Sequence, residues 1–386
     1  MEANAFPKFL WLRQAGTAAA ALALLLCLAA PSTAADVWEK KLILTGFNYT
    51  IRNLTVYEYA GAYETHFTCE ADFPRYALCK VTPSPDSNTY SIVETGLYAP
   101  FVSSTIWKGC RLVAFEKDYT SRLLQMCDTG SVYRRAIQIS RPAVHPLVKA
   151  YADTVYTMYS DYYDLHNINA GYVLKLAKLV DDNLSIENIA QGDVYTFDYA
   201  IDSHGVIHVI CSFSPGKTLY ATNKSGAWVT TQIASFSSQT VSIALDRNDT
   251  PHITYSIGNM TVNTGLFYAK YVNNAWSSQN IDSSAPVTDT KIVFNNTSEP
   301  YIFYVALVKP NPLASPSSVL KVMKNCSADS VHTVYSGARD FFPYVSASGQ
   351  VSVTYTDGWN MWRSTIKKPK PTPTLGHIFI NTLLNP

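Results

Sequence analysis

Hydrophobic residues alternate with polar ones in short runs along most of the chain, and residues 241–276 show the pattern most clearly. Val241, Ile243 and Leu245 alternate with smaller residues until a group of turn-forming residues interrupts the run. A period of two is typical of β-strands, and the interruption followed by a second alternating run predicts a hairpin. Two further strands follow, so this stretch predicts a four-stranded antiparallel meander.

The same unit returns on both sides of this stretch. Seven residues occupy one equivalent position in successive copies, at steps of 44 to 52 residues: Phe67, Phe115, Tyr159, Cys211, Tyr255, Tyr304 and Tyr355. Four short strands repeated at such a period are the signature of a β-propeller, because each blade needs its neighbours to cover its faces. The sequence therefore predicts an all-β protein, a propeller of seven four-stranded antiparallel blades. Six or eight blades stay open, since the first two copies rest on spacing more than on residue identity.

The last repeat contains three strands instead of four. We predict that the N-terminal strand at residues 38–45 supplies the fourth, because one terminus completing a blade begun by the other removes an open sheet edge. The alternative donor is the apolar run at 376–384. The predicted propeller covers residues 36–366, and residues 367–386 form a proline-rich linker and a C-terminal tail.

The N-terminus has the features of a secretory signal peptide. Lys8 and Arg13 precede an apolar run of about 13 residues, and small residues follow at 32–35. The run is shorter than the roughly 20 residues that span a bilayer, so cleavage after residues 1–35 is favoured over a retained membrane anchor. We expect a secreted or cell-surface protein with no stable membrane span after cleavage.

Charge and motif content exclude several classes of function. The chain has 30 basic and 29 acidic residues and a net charge of +1, which gives no electrostatic case for nucleic acid. It has no Cys-X-X-Cys pair and no calcium loop, so no metal and no cofactor is predicted. His208 and His252 recur at equivalent repeat positions, which favours packing or turn bonding over metal binding. We expect a monomer.

Six cysteines remain once Cys27 leaves with the signal peptide. In an antiparallel hairpin, residues that face each other have a constant sum of their numbers. On that basis Cys69 is predicted to pair with Cys79, and Cys110 with Cys127, as two disulfides. Free buried thiols are the alternative, which export makes less favourable.

The sequence contains nine Asn-X-Ser/Thr motifs, mostly in predicted turns. They begin at Asn48, Asn53, Asn183, Asn223, Asn248, Asn259, Asn295, Asn296 and Asn325. Several would carry glycans in a eukaryotic secretory pathway, and a bacterial exporter would leave them unmodified.

Residues 197–365 resemble the Asp-box-like (BNR-type) repeats of sialidase-like propellers. The resemblance rests on Leu245-Asp246, Pro251-His252-Ile253 and Tyr255, and on the Tyr-Ala pairs that precede each Ala-Trp. It implies a carbohydrate-related propeller. The strict motif Ser-X-Asp-X-Gly-X-Thr-Trp and the Arg-Ile-Pro motif of sialidases are absent. Some polysaccharide lyases with similar repeats use His and Tyr as base and acid, which the resemblance also implies as an option.

Candidate functional residues lie in the loops that join blade to blade and the second strand to the third, because these loops share one face around the central channel. The candidate ligand-binding residues are Arg141, His145, Asp161, Tyr163, His166, Arg339 and Asp340. If the protein is an enzyme, His145 or His166 could act as base and Tyr163 as acid in β-elimination from a uronic acid.

Two functions follow from this reading. The preferred one is a non-catalytic module that binds a glycan or an extracellular protein through its loop face. The alternative is a carbohydrate-active enzyme, a polysaccharide lyase more than a glycosidase or sialidase. Convergence of three or more of the His, Tyr and Arg candidates at the channel mouth would favour the enzyme.

Overall fold

The computed structural model describes thirteen stretches of the chain. They are residues 37–45, 50–59, 62–72, 75–82, 89–97, 99–117, 120–129, 131–140, 144–162, 172–214, 216–257, 265–309 and 314–367. The signal peptide predicted at 1–35 and the tail beyond 367 lie outside these ranges. Contacts divide the chain into two units, and the propeller is the unit Trp38–Thr365.

Seven antiparallel sheets of four strands form the blades. Blade 1 contains β2 (Ile51–Tyr59), β3 (Ala62–Asp72), β4 (Arg75–Thr82) and β5 (Thr89–Leu97). Blade 2 contains β6 (Val102–Trp107), β7 (Cys110–Lys117), β8 (Thr120–Thr129) and β9 (Ser131–Ser140). Blade 3 contains β10 (Val144–Tyr151), β11 (Thr154–Tyr162), β12 (Tyr172–Val180) and β13 (Asn183–Gln191). Blade 4 contains β14 (Asp193–Ile201), β15 (Ile207–Ser214), β16 (Lys217–Thr222) and β17 (Val229–Ala234).

The remaining three blades complete the ring. Blade 5 contains β18 (Ser238–Leu245), β19 (Pro251–Ile257), β20 (Leu266–Val272) and β21 (Ala275–Asp282). Blade 6 contains β22 (Val287–Phe294), β23 (Pro300–Val308), β24 (Ser317–Lys324) and β25 (His332–Ser336), with a 3-10 turn at Ala328–Ser330. Blade 7 contains β26 (Asp340–Val345), β27 (Val351–Thr356), β28 (Met361–Lys367) and, at its outer edge, β1 (Val37–Leu44).

The predicted seven-bladed propeller is confirmed. All seven equivalent repeat residues fall on the second strand of a blade, and each is at most 2% exposed. Blade 7 takes β1 as its fourth strand, so the N-terminal closure is also confirmed. The repeat was readable because these buried positions face the neighbouring blade, where only large apolar or aromatic side chains fill the space.

The turns between first and second strands repeat one geometry in blades 4 to 7. In each, the first residue accepts a backbone N–H from the residue three positions on, and the fourth residue has positive φ: Gly205, Asp249, Ser298 and Gly349. A side-chain oxygen of the first residue also accepts backbone N–H groups from residues two or four positions on; the accepting residues are Asp202, Asp246, Asn295 and Ser346. This bonding explains why Asp and Asn recur there.

At each of the seven blade junctions, at least one hydrogen bond joins the neighbouring turns. The bonds run from Tyr59 Oη to Gly109 O (3.2 Å), Trp107 Nε1 to Ala152 O (3.2 Å), Tyr151 Oη to Ser203 O (2.6 Å), Ser203 N to Asp249 Oδ1 (3.1 Å), Arg247 N to Ser298 Oγ (3.3 Å), Asn296 Nδ2 to Ala347 O (3.1 Å) and Ala347 N to Glu58 Oε2 (3.3 Å). The last bond joins blade 7 to blade 1.

The first strand of each blade is innermost and borders the channel. Such a strand has an unpaired edge, whose N–H groups need acceptors. Side chains of the preceding blade supply them: Asp340 to Leu54 N, Thr55 to Ser104 N, Ser103 to Val148 N, Asp198 to Ile243 N and Ser242 to Ile292 N, at 2.9 to 3.3 Å. Short polar side chains on the inner strands therefore hold neighbouring blades together.

The two predicted cysteine pairs differ in outcome. Cys110 faces Cys127 directly in the register of β7 and β8, as predicted. Cys69 faces Ala77 instead of Cys79, because β3 and β4 pair residues whose numbers sum to 146 instead of the predicted 148. Cys69 and Cys79 are free thiols with their Sγ atoms 3.3 Å apart. The predicted facing of Cys69 and Cys79 is therefore wrong, and the two residues are diagonal neighbours.

Candidate functional site

The loop face is the end of the propeller that carries the blade-to-blade connections and the turns between second and third strands. Of the predicted site residues, Arg141, Tyr163 and His166 lie outside the described residues. The predicted convergence of these side chains with His145 and Arg339 therefore stays a prediction. His145, Asp161, Arg339 and Asp340 can be placed, and they fall in three different surroundings.

His145 lies at the mouth of the central channel. It belongs to β10 instead of the predicted loop, at a bulge where its φ is 56°. The bulge turns the imidazole against Phe101, with ring centroids 3.6 Å apart. Burial lowers the pKa of His145 to about 4, so its ring is neutral at neutral pH.

A cavity of about 160 Å³ opens beside His145. Its lining comes from the innermost strands of five blades and the connection before β6, and includes Asn53, Phe101, His145, Thr196, Phe197 and Lys291. Two aromatic rings, an imidazole, an amide and an ammonium group thus surround one small space. The sequence flagged only His145 among these residues. Asn53, whose glycosylation motif was expected in a turn, lies in β2 at this cavity.

Lys291 belongs to a cluster of charged side chains in the channel. Burial disfavours its charge, but the carboxylates of Asp198, Asp289 and Asp340 outweigh burial and raise the pKa of Lys291. These residues lie on β14, β22 and β26, so the cluster joins three blades. The alternating charges Asp289 and Lys291 within an otherwise apolar innermost strand were the sequence signal for this cluster.

The two carboxyls nearest the loop face are hard to ionise. Burial, with a smaller repulsion from Asp289, raises the pKa of Asp340 to about 7, and burial also raises the pKa of Asp289. Both hold the backbone in place: Asp340 accepts from Leu54 N at 2.9 Å, and Asp289 accepts from Thr290 N at 2.8 Å. Asp340 was predicted as a ligand-binding residue, and it borders the channel as the first residue of β26.

Asp161 lies away from the channel mouth. It was expected in a long loop, but β11 extends through it, and its side chain is 8% exposed. Its Oδ2 is bonded to the ammonium of Lys175 on β12. The side chain is therefore occupied within blade 3 and does not face solvent as a loop residue would.

Arg339 lies on the loop face of blade 7, where its side chain is exposed and passes over Gly358. Two exposed aromatic residues on this face were not predicted from the sequence. Tyr195 is 56% exposed at the bulge of β14, and Trp359 is 49% exposed in the turn after β27. A sequence signal exists for Trp359, since large aromatic residues are uncommon in such short turns.

The opposite face contains the recurring histidines. His208 Nδ1 contacts Tyr220 Oη at 2.6 Å and His208 Nε2 lies 3.4 Å from Asp202, and His252 makes the equivalent contacts with Tyr268 and Asp246. Each Asp–His–Tyr set connects a turn to the third strand. The predicted packing and turn bonding of His208 and His252 is confirmed.

One group of side chains on that face could hold a metal ion. Ligand atoms of Asp202, His204 and Asp249 lie within 4.8 Å of one another. Both carboxylates already accept hydrogen bonds, Asp202 from its own turn and Asp249 from Ser203 N at 3.1 Å. The turns themselves therefore account for this grouping.

Comparison with known proteins supports the fold. The sequence matches no protein-family model and no curated protein. The structure is similar to the polysaccharide lyase PL25 ulvan lyase, with 8% identity and a TM-score of 0.56 over 84% of this chain and 95% of that one. It is also similar to BBS1N, solved in complex with ARL6DN, with 11% identity and a TM-score of 0.56 over 86% of this chain and 98% of that one.

A third similar structure is the lectin of Aleuria aurantia in complex with Fucα1-6GlcNAc, with 13% identity and a TM-score of 0.49 over 76% of this chain and 97% of that one. At these identities the likeness shows the shared propeller fold alone. The resemblance to BNR-type repeats stays a prediction. Within the described stretches, no helix is long and apolar enough to cross a membrane.

Proposed function

We propose that this propeller binds a glycan through its loop face, with the channel-mouth cavity as the pocket, and performs no chemistry on it. The observation that carries the proposal is the cavity of about 160 Å³ with its mixed lining. Pockets for drug-sized ligands measure about 300–1,000 Å³, so this one fits a single ring or an end group. Phe101 and Phe197 offer apolar faces, and Asn53 and Lys291 offer donors for hydroxyl groups.

The concave shape favours a glycan over a protein partner. A stable protein interface covers about 800 Å² on each side, which a single small cavity does not supply. The signal peptide predicted at 1–35 would deliver the protein outside the cell or to its surface, where glycans are abundant. A monomer suffices for this function, since the cavity is built by one chain.

The non-catalytic form of the proposal rests on the roles that the polar groups already have. Asp340 and Asp289 hold backbone N–H groups of the inner strands. His145 packs against Phe101. Groups fixed in this way can orient a ligand without taking part in a reaction.

The test is a glycan array on the mature protein followed by titration of the strongest ligand. A Thr196→Phe variant fills the cavity without removing a charge and is expected to weaken binding about tenfold or more. Thr230→Phe, the same change on the exposed outer strand of blade 4, is the control and should bind as the wild type does. Unchanged binding by Thr196→Phe would remove the cavity from the proposal, and no binding to any glycan would refute it.

One observation favours the alternative, a polysaccharide lyase. A neutral imidazole with a pKa of about 4 and a carboxyl with a pKa of about 7 border the same channel, which is a base and an acid available at neutral pH. An ultraviolet assay for unsaturated uronates separates the two functions. Release of such products by the wild type and its loss in His145→Ala would replace the binding proposal with the enzyme.

A further inference from the structure

The turn between β27 and β28, residues 357–360, carries an exposed tryptophan on the loop face of blade 7, and an exposed arginine lies against the same turn. Trp359 is 49% exposed, and its ring has no ring or cation partner in the described part of the chain. Arg339 is exposed, and the described residues provide its guanidinium with no hydrogen bond and no ion pair. The loop face of blade 7 therefore offers an uncompensated cation and an exposed aromatic ring at one turn.

Gly358 lets the Arg339 side chain lie against the turn that carries Trp359. Its φ of 103° is favoured by glycine, and a Cβ at this position would lie 3.0 Å from Arg339 Cδ and 3.3 Å from its Nε. Arg339 therefore lies across the peptide that precedes Trp359. Arg339 N also bonds Thr356 O at 2.8 Å, which fixes the start of the side chain to the same turn.

The turn is held rigidly by Asp357. Its Oδ1 accepts the N–H groups of Trp359 and Asn360, each at 2.9 Å, and Gly358 O accepts Ile51 N of blade 1 at 2.7 Å. Burial opposes ionisation of Asp357, but these backbone hydrogen bonds lower its pKa. The Asp357 carboxylate is therefore bonded within its own turn, and the charge of Arg339 stays available to a ligand. Rigid presentation lowers the entropy cost of binding.

We propose that Arg339 and Trp359 form a subsite for an acidic sugar residue, one with a carboxylate or sulfate group. The guanidinium matches the paired oxygens of either anion, and the indole face packs against the apolar face of a sugar ring. Arg339 immediately precedes Asp340 of the channel, so the subsite continues the channel mouth outward along the same ligand. The inference rests on the proposed glycan binding and specifies the class of glycan.

The experiment uses the mature protein on an array that holds neutral, carboxylated and sulfated forms of the same glycan backbones. The wild type should bind acidic forms more tightly than their neutral counterparts, and added salt should reduce that preference. Arg339→Ala should weaken the binding of acidic glycans about tenfold or more and leave the affinity for neutral glycans within about twofold of the wild type. The affinity of Arg339→Lys for acidic glycans should lie between those of the wild type and Arg339→Ala, because lysine keeps the charge but cannot form two parallel hydrogen bonds.

Trp359→Ala should weaken the binding of acidic and of neutral glycans alike, by about tenfold. The matched controls are Arg247→Ala, an exposed arginine on the opposite face, and Tyr90→Ala, an exposed aromatic residue on an outer strand. Both should bind as the wild type does, and all variants should melt within about 2 °C of it.

Three results would overturn the subsite. If Arg339→Ala binds acidic glycans as the wild type does, or if neutral glycans bind most tightly, the subsite is refuted while glycan binding at the cavity stands. If the wild type binds no glycan, the proposed function fails and the subsite fails with it. A preference for only the carboxylated or only the sulfated forms identifies which anion the subsite takes and supports it.

Discussion

Buried histidines show how much the immediate partners of a side chain matter. His66 and His208 are both buried on the second strand of a blade. His208 has a partner on each ring nitrogen, whereas neither nitrogen of His66 has one. An unsatisfied polar group costs folding free energy that a satisfied one does not. A buried histidine therefore lowers the folding stability of blade 1, whereas in blade 4 it links a turn to the third strand.

We expect His66→Phe to raise the free energy of unfolding by about 1–3 kcal/mol, because it removes two buried groups without partners. His208→Phe, the matched control, should lower it by a similar amount, since Tyr220 and Asp202 lose their partner. Urea unfolding of both variants measures the two changes. Two changes of the same sign would contradict this account.

The difference between His66→Phe and the wild type should depend on pH. Burial lowers the pKa of folded His66 to about 3, whereas the ordinary value is 6.5. The unfolded chain therefore binds a proton that the folded chain rejects, and the wild type loses stability as pH falls from 6.5 to about 3. The advantage of His66→Phe should grow across this window in unfolding curves. A constant difference would show that the pKa of His66 is the same in the folded and the unfolded chain.

Register decides which cysteines can be joined. We expect non-reducing peptide mapping of exported protein to show a Cys110–Cys127 disulfide, because these residues face each other. Cys69 and Cys79 should both react with an alkylating agent after unfolding, as diagonal neighbours. A Cys69–Cys79 disulfide in the map would show that β3 and β4 adopt the register expected from the sequence.

At the scale of elements, blades 1 and 2 are joined by a buried ion pair. Arg111 of β7 donates two hydrogen bonds to Glu64 of β3, at 2.5 and 2.7 Å, and Tyr57 donates a third at 2.7 Å. Both charged side chains are 9% exposed. A buried charge without its partner is strongly unfavourable, so this junction depends on both residues.

Glu64→Gln should lower the free energy of unfolding by about 3–5 kcal/mol, because it removes the negative charge that the buried guanidinium of Arg111 faces. Glu70→Gln on the same strand is the control. Its exposed pair with Arg52 contributes about 0–1 kcal/mol. Urea unfolding at neutral pH checks both values, and equal effects would contradict a special role for the buried pair.

Acid should act on the same junction. Burial opposes ionisation of Glu64, but Arg111, Tyr57 and Lys80 together lower its pKa to about 2 from an ordinary 4.5. The carboxylate therefore stabilises the fold above about pH 4.5, and this contribution is lost as pH falls to about 2. Glu64→Gln should remove that part of the acid sensitivity.

At the scale of the whole molecule, the ring is closed in two ways. The strand β1 completes blade 7, and Trp38 stacks on His332 at 6.3 Å while the ammonium of Lys40 lies 4.4 Å from the Tyr335 ring. On the opposite face, Ala347 N bonds Glu58 and closes the circle of turns. An open junction between blades 7 and 1 would expose apolar faces of both.

Deletion of residues 36–46 should therefore cause aggregation or loss of the cooperative melt, because blade 7 loses its outer strand and blade 1 loses a neighbour. A chain that ends at Lys367 should keep its melting transition. Calorimetry and size-exclusion chromatography of the two variants measure this. A damaging tail deletion with a tolerated N-terminal deletion would contradict the closure.

The sequence by itself favoured seven blades over six or eight, and it favoured the N-terminal strand over the tail as the strand that closes the ring. Each follows from a local rule: alternation gives strands, Asp and Asn give the turns at Asp202 and Asp246, and a missing fourth strand requires a donor. The buried repeat residues, such as Tyr255, were readable because every copy packs against the same kind of neighbour. His208 and His252 could be assigned to structure for the same reason.

Tertiary structure alone decided the composition of the candidate site. Lys291 and Asp340 lie on different blades, 49 residues apart in the chain, and their charges meet only because innermost strands converge on the channel when the ring closes. Arg339 lies against Gly358 of the turn that carries Trp359, a contact between two segments of blade 7 that local alternation does not encode. Repeated sequence reports the packing that all blades share, whereas function depends on the positions where individual blades differ.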